Sequence, residues 1–385
     1  MKRVLVAVVA VTMSTALAAC SSNTNGPAAS TNGPAASGGA GSSEGVGRAQ
    51  SLIDQYSGLP KFVSPGEAID GKQAAQGKSV FSLPSNTSVP FIQDTERAFE
   101  ELAKEVGLDV SSWPNQGQTA QYVEGLNTAL SKKVGVISLL DGTDPKLVQS
   151  QLAKAREQGI KVLDAHDLDF TQSRPPNVDA FVDGDFVRAG ELVAAWAITQ
   201  TQGKANMLLV TSKNYNNNQP IVDGMKKEFA ADCPNCKMIE TNVDGPDWAT
   251  KIQPAVQSAI VREPGLNYVL TPYDSMLLYV VPGIRSAQAV GRVHAASFNG
   301  TPAVIDLVRD GSIVTMDLGE NPSDIAAATL DQSLRLLSGK APAKHSLVMR
   351  VFSKTNAQEA GVPAQLGKGY GDAWLKGYRQ LLGLG

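Results

Sequence analysis

The sequence has few of the residues that enzymes and metal sites usually need. It contains only three histidines, His166, His294 and His345, and neither a G-x-S-x-G nor an H-E-x-x-H motif. Three closely spaced glycines in residues 367–371 lack the preceding buried strand that a phosphate-binding loop requires. The sequence therefore predicts a protein that is not an enzyme and uses no cofactor, with a hydrolase as the less favoured alternative.

An excess of basic residues is also lacking. Lysine and arginine together number 34 against 37 aspartates and glutamates, which gives a formal net charge of -3. Proteins that bind nucleic acid need a basic surface to neutralise phosphates. The composition therefore disfavours a nucleic-acid partner.

The apolar run at the N-terminus is too short and too rich in small residues to span a bilayer stably. Lys2 and Arg3 precede this run, which covers residues 4–19 and predicts a secretory signal peptide ending at residue 19. Its last residues, Leu-Ala-Ala before Cys20, resemble the bacterial lipobox. The resemblance implies that a lipidated Cys20 anchors the protein to the outside of the bacterial cell membrane. An ordinary signal or membrane anchor with a chance cysteine is the alternative.

Residues 21–45 contain no aromatic residue and a single charge. They hold a tandem repeat, because residues 24–30 and 31–37 have the same sequence. A segment of this composition cannot form a core. Residues 20–45 are therefore predicted to be the lipidated cysteine followed by a flexible tether.

Cysteine is scarce, since only Cys233 and Cys236 remain after Cys20. In an oxidising compartment we expect these two cysteines to form a disulfide. A thioredoxin-like redox site is the alternative, but such a motif opens a helix after a strand, whereas this one lies between a helix end and a strand start. Two sulfurs are too few for a structural zinc site.

Short β-branched runs alternate with segments of helical period beyond residue 76. Residues 78–83 read as a strand, and apolar positions spaced three and four residues apart in 92–106 then predict a helix. The alternation restarts at residue 180. A stretch of about 340 residues exceeds what one core usually serves. The predicted fold class is therefore α/β, with two doubly wound parallel-sheet lobes.

Five short segments carry a family resemblance. They are Val89-Pro90-Phe91, Asp141-Gly142-Thr143-Asp144-Pro145, Val182-Asp183-Gly184-Asp185, Pro272-Tyr273-Asp274-Ser275 and Phe298-Asn299-Gly300-Thr301-Pro302. Together they resemble the type I periplasmic binding proteins, in the ribose-binding-like branch of sugar and polyol receptors. The resemblance covers about residues 77–355. It implies two lobes joined by a three-strand hinge, with the ligand held in the cleft between them.

The resemblance also implies the function and the division of the chain. We expect a monomeric solute-binding lipoprotein that delivers a small polar molecule to the permease of an ABC importer, with a ligand-sensing receptor as the alternative. The first lobe is expected to hold residues 77–184 and 317–340, and the second lobe 185–316 and 341–355. Residues 46–76 and 356–385 are expected to be N-terminal and C-terminal extensions.

The candidate ligand-binding residues follow strands, because ligands of open α/β sheets bind at the carboxyl ends of the strands. Asn218 and Gln219 end a polar run between a strand and a helix, for which a solvated loop is the alternative. Phe91 has an alternative role in the core, and Asp185, Asp274 and Asn299 have one as helix caps. Local matching to family contacts, extended to two neighbouring positions, gives Phe91, His166, Asp167, Asp185, Asn218, Gln219, Tyr273, Asp274, Asn299 and Asp317.

The sequence departs from the sugar receptors at two places. Where that branch carries arginines, this chain has His166-Asp167 and Gln219, so a simple aldopentose or aldohexose ligand is less favoured. The candidate set has no arginine or lysine, so we expect a neutral polyol, cyclitol or modified sugar, with a cation as the alternative. The spacing of acidic residues in 164–169 fits no standard zinc or calcium loop, and no metal is predicted.

Overall fold

The computed structural model describes residues 40–385, with side chains from residue 43 onward. The predicted signal peptide, Cys20 and most of the predicted tether lie outside the described residues. Among residues 40–385, no helix is both long enough and apolar enough to cross a membrane.

The first lobe is built on a five-stranded parallel sheet with the order β2-β1-β3-β4-β5. Helices connect strands β1 to β4 in turn, and Gly107 ends the first of these helices in the left-handed conformation that glycine adopts without strain. The elements are β1 Ser79–Pro84, α3 Pro90–Val106, β2 Asp109–Ser112, α4 Thr119–Lys132, β3 Val136–Leu140, α5 Gln149–Glu157, β4 Lys161–Asp169 and β5 Ala180–Gly184.

The second lobe has a six-stranded sheet with the order β11-β10-β9-β8-β6-β7. All pairs are parallel except β10 with the last strand, β11, which is antiparallel. The elements are α6 Phe186–Gln200, β6 Asn206–Thr211, α7 Asn218–Asp232, β7 Lys237–Asn242, α8 Trp248–Arg262, β8 Tyr268–Leu270, α9 Leu277–Ser286, β9 His294–Asn299, α10 Pro302–Asp310, β10 Val314–Glu320 and β11 Met349–Ser353. The predicted two-lobed α/β fold is confirmed.

The chain passes between the lobes after β5, after β10 and after α11. Helix α11, Pro322–Leu337, packs against α3 and the strands of the first lobe. Residues 317–320 differ from the prediction, which placed them in the first lobe. They form the end of β10 and pair with both β9 and β11, so this hydrogen bonding keeps them in the second lobe.

Helix α1, Ala40–Ser57, begins inside the segment predicted to be a flexible tether. It packs against α6 and α7, where Gly45 lies so close to the backbone of Asp232 that a Cβ would overlap it. Arg48 forms an ion pair of 2.7 Å with the Asp232 carboxylate. These contacts to the second lobe explain why the helix starts earlier than composition predicts.

Each of the two extensions also contains a further helix that packs on the first lobe. Helix α2, Gly71–Ala75, and helix α12, Ala373–Leu381, both pack on α11 in the first lobe. A disulfide joins Cys233 to Cys236, as predicted, with 5.4 Å between the two Cα atoms. It lies at the turn from α7 into β7.

Candidate functional site

A cavity lies in the cleft between the lobes, at the carboxyl ends of the strands. Both lobes contribute loops and first helical turns to its walls. It is lined by Val89, Phe91, Ile92, Asp141, His166, Tyr215, Asn217, Trp248, Tyr273, Ser275 and Asn299.

Aromatic rings form two facing walls of the cavity. On the first lobe, the rings of Phe91 and His166 lie 5.7 Å apart, measured between centroids. On the second lobe, Tyr215, Trp248 and Tyr273 form a cluster with centroid distances of 5.5 to 5.9 Å. Such faces suit the C–H surface of a ring or chain whose hydroxyls point elsewhere.

His166 is the charged centre of the cavity floor. Its Nε2 lies 2.5 Å from Oε2 of Glu320, and its Nδ1 lies 3.0 Å from Oδ1 of Asp141. Burial lowers the pKa of His166, but the two carboxylates outweigh this effect and raise the pKa to about 10. The imidazole is therefore protonated at neutral pH, and its positive charge is offset within the protein.

Three lining residues have positive φ angles that are uncommon for residues other than glycine. They are Asp141 at 53°, His166 at 63° and Asn299 at 150°. Strained backbone of this kind persists where surrounding contacts enforce it, and it concentrates at functional sites. Its occurrence at three residues of one cavity supports a binding role for that cavity.

Direct hydrogen bonds join the lobes beside the cavity. Asn216 Nδ2 donates to Asp167 Oδ2 at 2.9 Å, and Asn217 Nδ2 donates to the backbone carbonyl of His166 at 3.3 Å. Tyr273 donates its hydroxyl to Asn217 Oδ1 at 2.6 Å, which orients that amide. The described conformation therefore has the lobes in contact around the cavity.

Four of the predicted ligand-binding residues line the cavity, namely Phe91, His166, Tyr273 and Asn299. Asp167 is adjacent, but its carboxylate is bonded to Asn216. Burial raises the pKa of Asp167 to about 7. Its position favours a role in holding the lobes together.

Asp274 and Asp317, also among the predicted residues, do not line the cavity, and both bind the loop after Asn299. Asp274 accepts from the backbone N–H of Thr301 at 2.6 Å and from its hydroxyl at 2.7 Å. Asp317 accepts from the backbone N–H of Gly300 at 2.9 Å. Burial raises the pKa of Asp274 to about 6, and burial also raises the pKa of Asp317 well above its usual range. The two carboxyl groups fix the loop that presents Asn299.

Three other predicted residues also lie away from the cavity. Asp185 caps α6 by accepting from the backbone N–H of Arg188 at 3.3 Å, and Asn218 accepts from the N–H of Ser212 at 2.8 Å. Gln219 is exposed and donates to Asp223 one turn along α7 at 2.8 Å. Helix α7 begins at Asn218, so its helical geometry directs Gln219 outward.

The sequence prediction missed several lining residues, including Asp141, Tyr215, Asn217 and Trp248. Asp141 opens one of the segments that carry the family resemblance, and Tyr215 and Asn217 belong to the polar run before α7. All three residues follow strands, Asp141 after β3 and the other two after β6, and this position was the available signal for them. Among residues 40–385, no group of three or more histidine, cysteine, aspartate or glutamate side chains is arranged to hold a metal ion.

Comparisons with known proteins agree with this geometry. The family model described as "periplasmic binding protein domain" matches residues 80–341. No curated protein sequence matches the chain.

Solved structures match over most of the chain. A Caulobacter myo-inositol binding protein bound to myo-inositol is 20% identical, with a TM-score of 0.66 over 74% of this chain and 96% of its own. An Actinobacillus succinogenes solute-binding protein with bound D-allose is 20% identical, with a TM-score of 0.65 over 73% and 99%. A Mycobacterium smegmatis solute-binding protein with bound glycerol is 18% identical, with a TM-score of 0.67 over 76% and 98%. The chain belongs to the periplasmic binding protein domain family, and its two lobes have the fold of ABC transporter solute-binding proteins.

Proposed function

We propose that this protein is a solute-binding lipoprotein that holds a small, neutral, hydroxylated molecule between its lobes and delivers it to an ABC importer. The ligand class is a sugar, polyol or cyclitol. Structural neighbours with bound myo-inositol, D-allose and glycerol support this class.

The composition of the cavity wall carries the proposal. Aromatic faces from both lobes surround a space that the amide of Asn299 and the hydroxyl of Ser275 also border. Aromatic rings bind the C–H faces of a polyol, and amides and hydroxyls pair with its oxygens. A buried hydroxyl without a partner costs about 1 to 3 kcal/mol, so a site of this kind selects ligands by complete pairing.

Charge in the cavity favours a neutral ligand. No lysine or arginine is among the described residues that line it. Among those described residues the one cation is His166, and it is already paired with Glu320 and Asp141. A carboxylate or phosphate ligand would therefore lack a charge-assisted partner.

A thermal-shift screen of purified protein tests the ligand class. The panel holds myo-inositol, D-allose, glycerol, further sugars and polyols, and amines and organic acids for comparison. A ligand at about 100 times its dissociation constant stabilises the folded state by about 2.7 kcal/mol, which the screen detects. Stabilisation by organic anions alone would refute the proposal.

Two variants test the cavity itself by isothermal titration calorimetry with the best hit. Phe91→Ala is expected to weaken binding at least about tenfold, because one aromatic face of the cavity is lost. Gln219→Ala is the matched control, since Gln219 is exposed on α7, and its affinity should equal that of the wild type. Equal affinities in both variants would place the ligand elsewhere.

The lipid anchor is tested separately in cells. Because Cys20 ends a lipobox-like segment, Cys20→Ala is expected to abolish incorporation of labelled palmitate and to release the protein from the membrane fraction. Cys233→Ala is the control and should keep the label. Unchanged labelling of the Cys20 variant would exclude this anchor.

A further inference from the structure

A second cavity opens directly beside the ligand cavity, and we call it the outer groove. The two spaces share Val89, Trp248 and Ser275 in their walls, so they are continuous. The first lobe contributes residues 86–90 with Gln116 and Gln118 to the outer groove, and the second lobe contributes residues 245–249 with Tyr279.

The strand order places this groove at the mouth of the cleft. Its first-lobe residues follow β1 and β2, at one end of the sheet β2-β1-β3-β4-β5. The hinge follows β5 at the other end, and the lobe-joining residues His166 and Asp167 lie on β4, next to β5. The cleft is therefore bridged on the hinge side, and a ligand larger than the inner cavity has room to extend into the groove.

The groove has the chemistry of a carbohydrate surface. The amides of Gln116 and Gln118 are exposed, and the half-buried ring of Tyr279 and the indole of Trp248 supply aromatic surface. None of the described residues that line the groove is charged. A phosphate or ammonium group would find no opposite charge there, whereas hydroxyls would find amide partners.

We infer that the cleft takes a two-part ligand, a glycoside, whose small hydroxylated unit fills the inner cavity while a second uncharged sugar ring occupies the outer groove. This inference rests on the proposed function and specifies its ligand class. The inner cavity supplies aromatic faces, and the outer groove that continues it supplies exposed amides. A ligand that uses both must therefore have two parts.

Matched ligand pairs test the inference by isothermal titration calorimetry. The pairs are myo-inositol with galactinol, which is its galactoside, and glycerol with 2-O-glucosylglycerol. The glycoside of at least one pair should bind at least about tenfold more tightly than its parent. A tenfold gain corresponds to about 1.4 kcal/mol, within the reach of one well-paired sugar ring.

Variants localise the gain to the groove. Ala249 is exposed on the first turn of α8 and lines the groove without lining the inner cavity. Ala249→Trp should fill the groove and lower glycoside affinity to that of the parent, which itself should bind unchanged. Gln257→Trp, at an exposed position of the same helix, should keep the gain. Gln116→Ala, which adds no bulk, should reduce the gain several-fold.

The outcomes separate this inference from the proposed function. Parent ligands that bind as tightly as their glycosides, or more tightly, would overturn the inference and leave the proposed function standing. A glycoside gain that survives both Ala249→Trp and Gln116→Ala would also overturn it, because the second ring would then lie outside the groove. Failure of every parent and every glycoside to bind would overturn the inference together with the proposed ligand class.

Discussion

At the scale of single residues, Asn299 shows how buried carboxyl groups support a strained position. Its φ of 150° lies in a region where residues other than glycine are disfavoured. The next two residues are tied down by Asp317 and Asp274 through hydrogen bonds to Gly300 and Thr301. Strain of this kind costs about 1 to 3 kcal/mol, and the anchored loop supplies the opposing free energy.

This arrangement predicts that Asn299→Gly separates stability from binding. Glycine relieves the strain at a smaller entropic cost, so the free energy of unfolding without ligand should rise by about 1 kcal/mol in urea titrations. Loss of the amide should weaken ligand binding at least about tenfold. Asn177→Gly, at a second positive-φ asparagine outside the cavity lining, is the control and should bind normally. A destabilised Asn299→Gly protein with full affinity would contradict this account.

The sequence indicates the region of the cavity more reliably than it indicates the individual residues that line it. Residues that follow strands could be identified from the pattern, and Phe91, Tyr273 and Asn299 line the cavity. Gln219 and Asn217 are only two residues apart, yet of the two only Asn217 lines the cavity. The difference depends on where α7 begins, and sequence patterns define such boundaries only to within about two residues.

At the scale of elements, two glycines allow the close crossing of α6 and α7. A Cβ on Gly190 would overlap the carbonyl of Ile221, and a Cβ on Gly224 would overlap the carbonyl of Val187. On each helix, therefore, a glycine contacts the backbone of the other helix. Helix α1 packs against both of these helices, so their crossing fixes the position of α1 in the N-terminal extension.

We expect Gly190→Ala to lower the free energy of unfolding by about 3 kcal/mol, because the overlapping atoms are backbone and cannot move independently. The control is Gly47→Ala in α1, where a Cβ would meet nothing within 4 Å. Alanine there should raise stability by about 0.5 to 1 kcal/mol through helix propensity. Chemical denaturation of both variants tests this pair, and equal effects would exclude the crossing as the cause.

Element boundaries were predictable where local chemistry determined them. The alternation of short strands with helical segments predicts a strand over residues 237–242 and a helix over residues 119–132, and β7 and α4 cover these ranges. The same alternation predicts a strand over residues 161–164, whereas β4 continues to Asp169, with a shift in its register against β5. Three of its last four residues, His166, Asp167 and Asp169, are ionisable, so this part looks like a loop in sequence. They are buried because the ion pairs of His166 and the other lobe cover them, and a local pattern does not reveal such contacts.

At the scale of the whole molecule, the extensions add connections between the lobes. The N-terminal extension runs from α1 on the second lobe to α2 on the first, and the C-terminal extension runs from β11 to α12. The two extensions also bind each other. The N–H of Ile69 donates to the carbonyl of Leu381 at 2.8 Å, and the rings of Phe62 and Tyr378 lie 5.0 Å apart.

These contacts predict that the extensions unfold together with the lobes. Tyr378 is 3% exposed and lies where α12, Phe62 and the first lobe meet. Its truncation to alanine should remove about 3 to 5 kcal/mol from the free energy of unfolding and lower the main calorimetric transition. Lys376→Ala is the matched control, because Lys376 is exposed on the same helix and its change should be within about 0.5 kcal/mol. If α12 instead frays independently, Tyr378→Ala would leave the main transition at its wild-type temperature and would only increase proteolysis near the C-terminus.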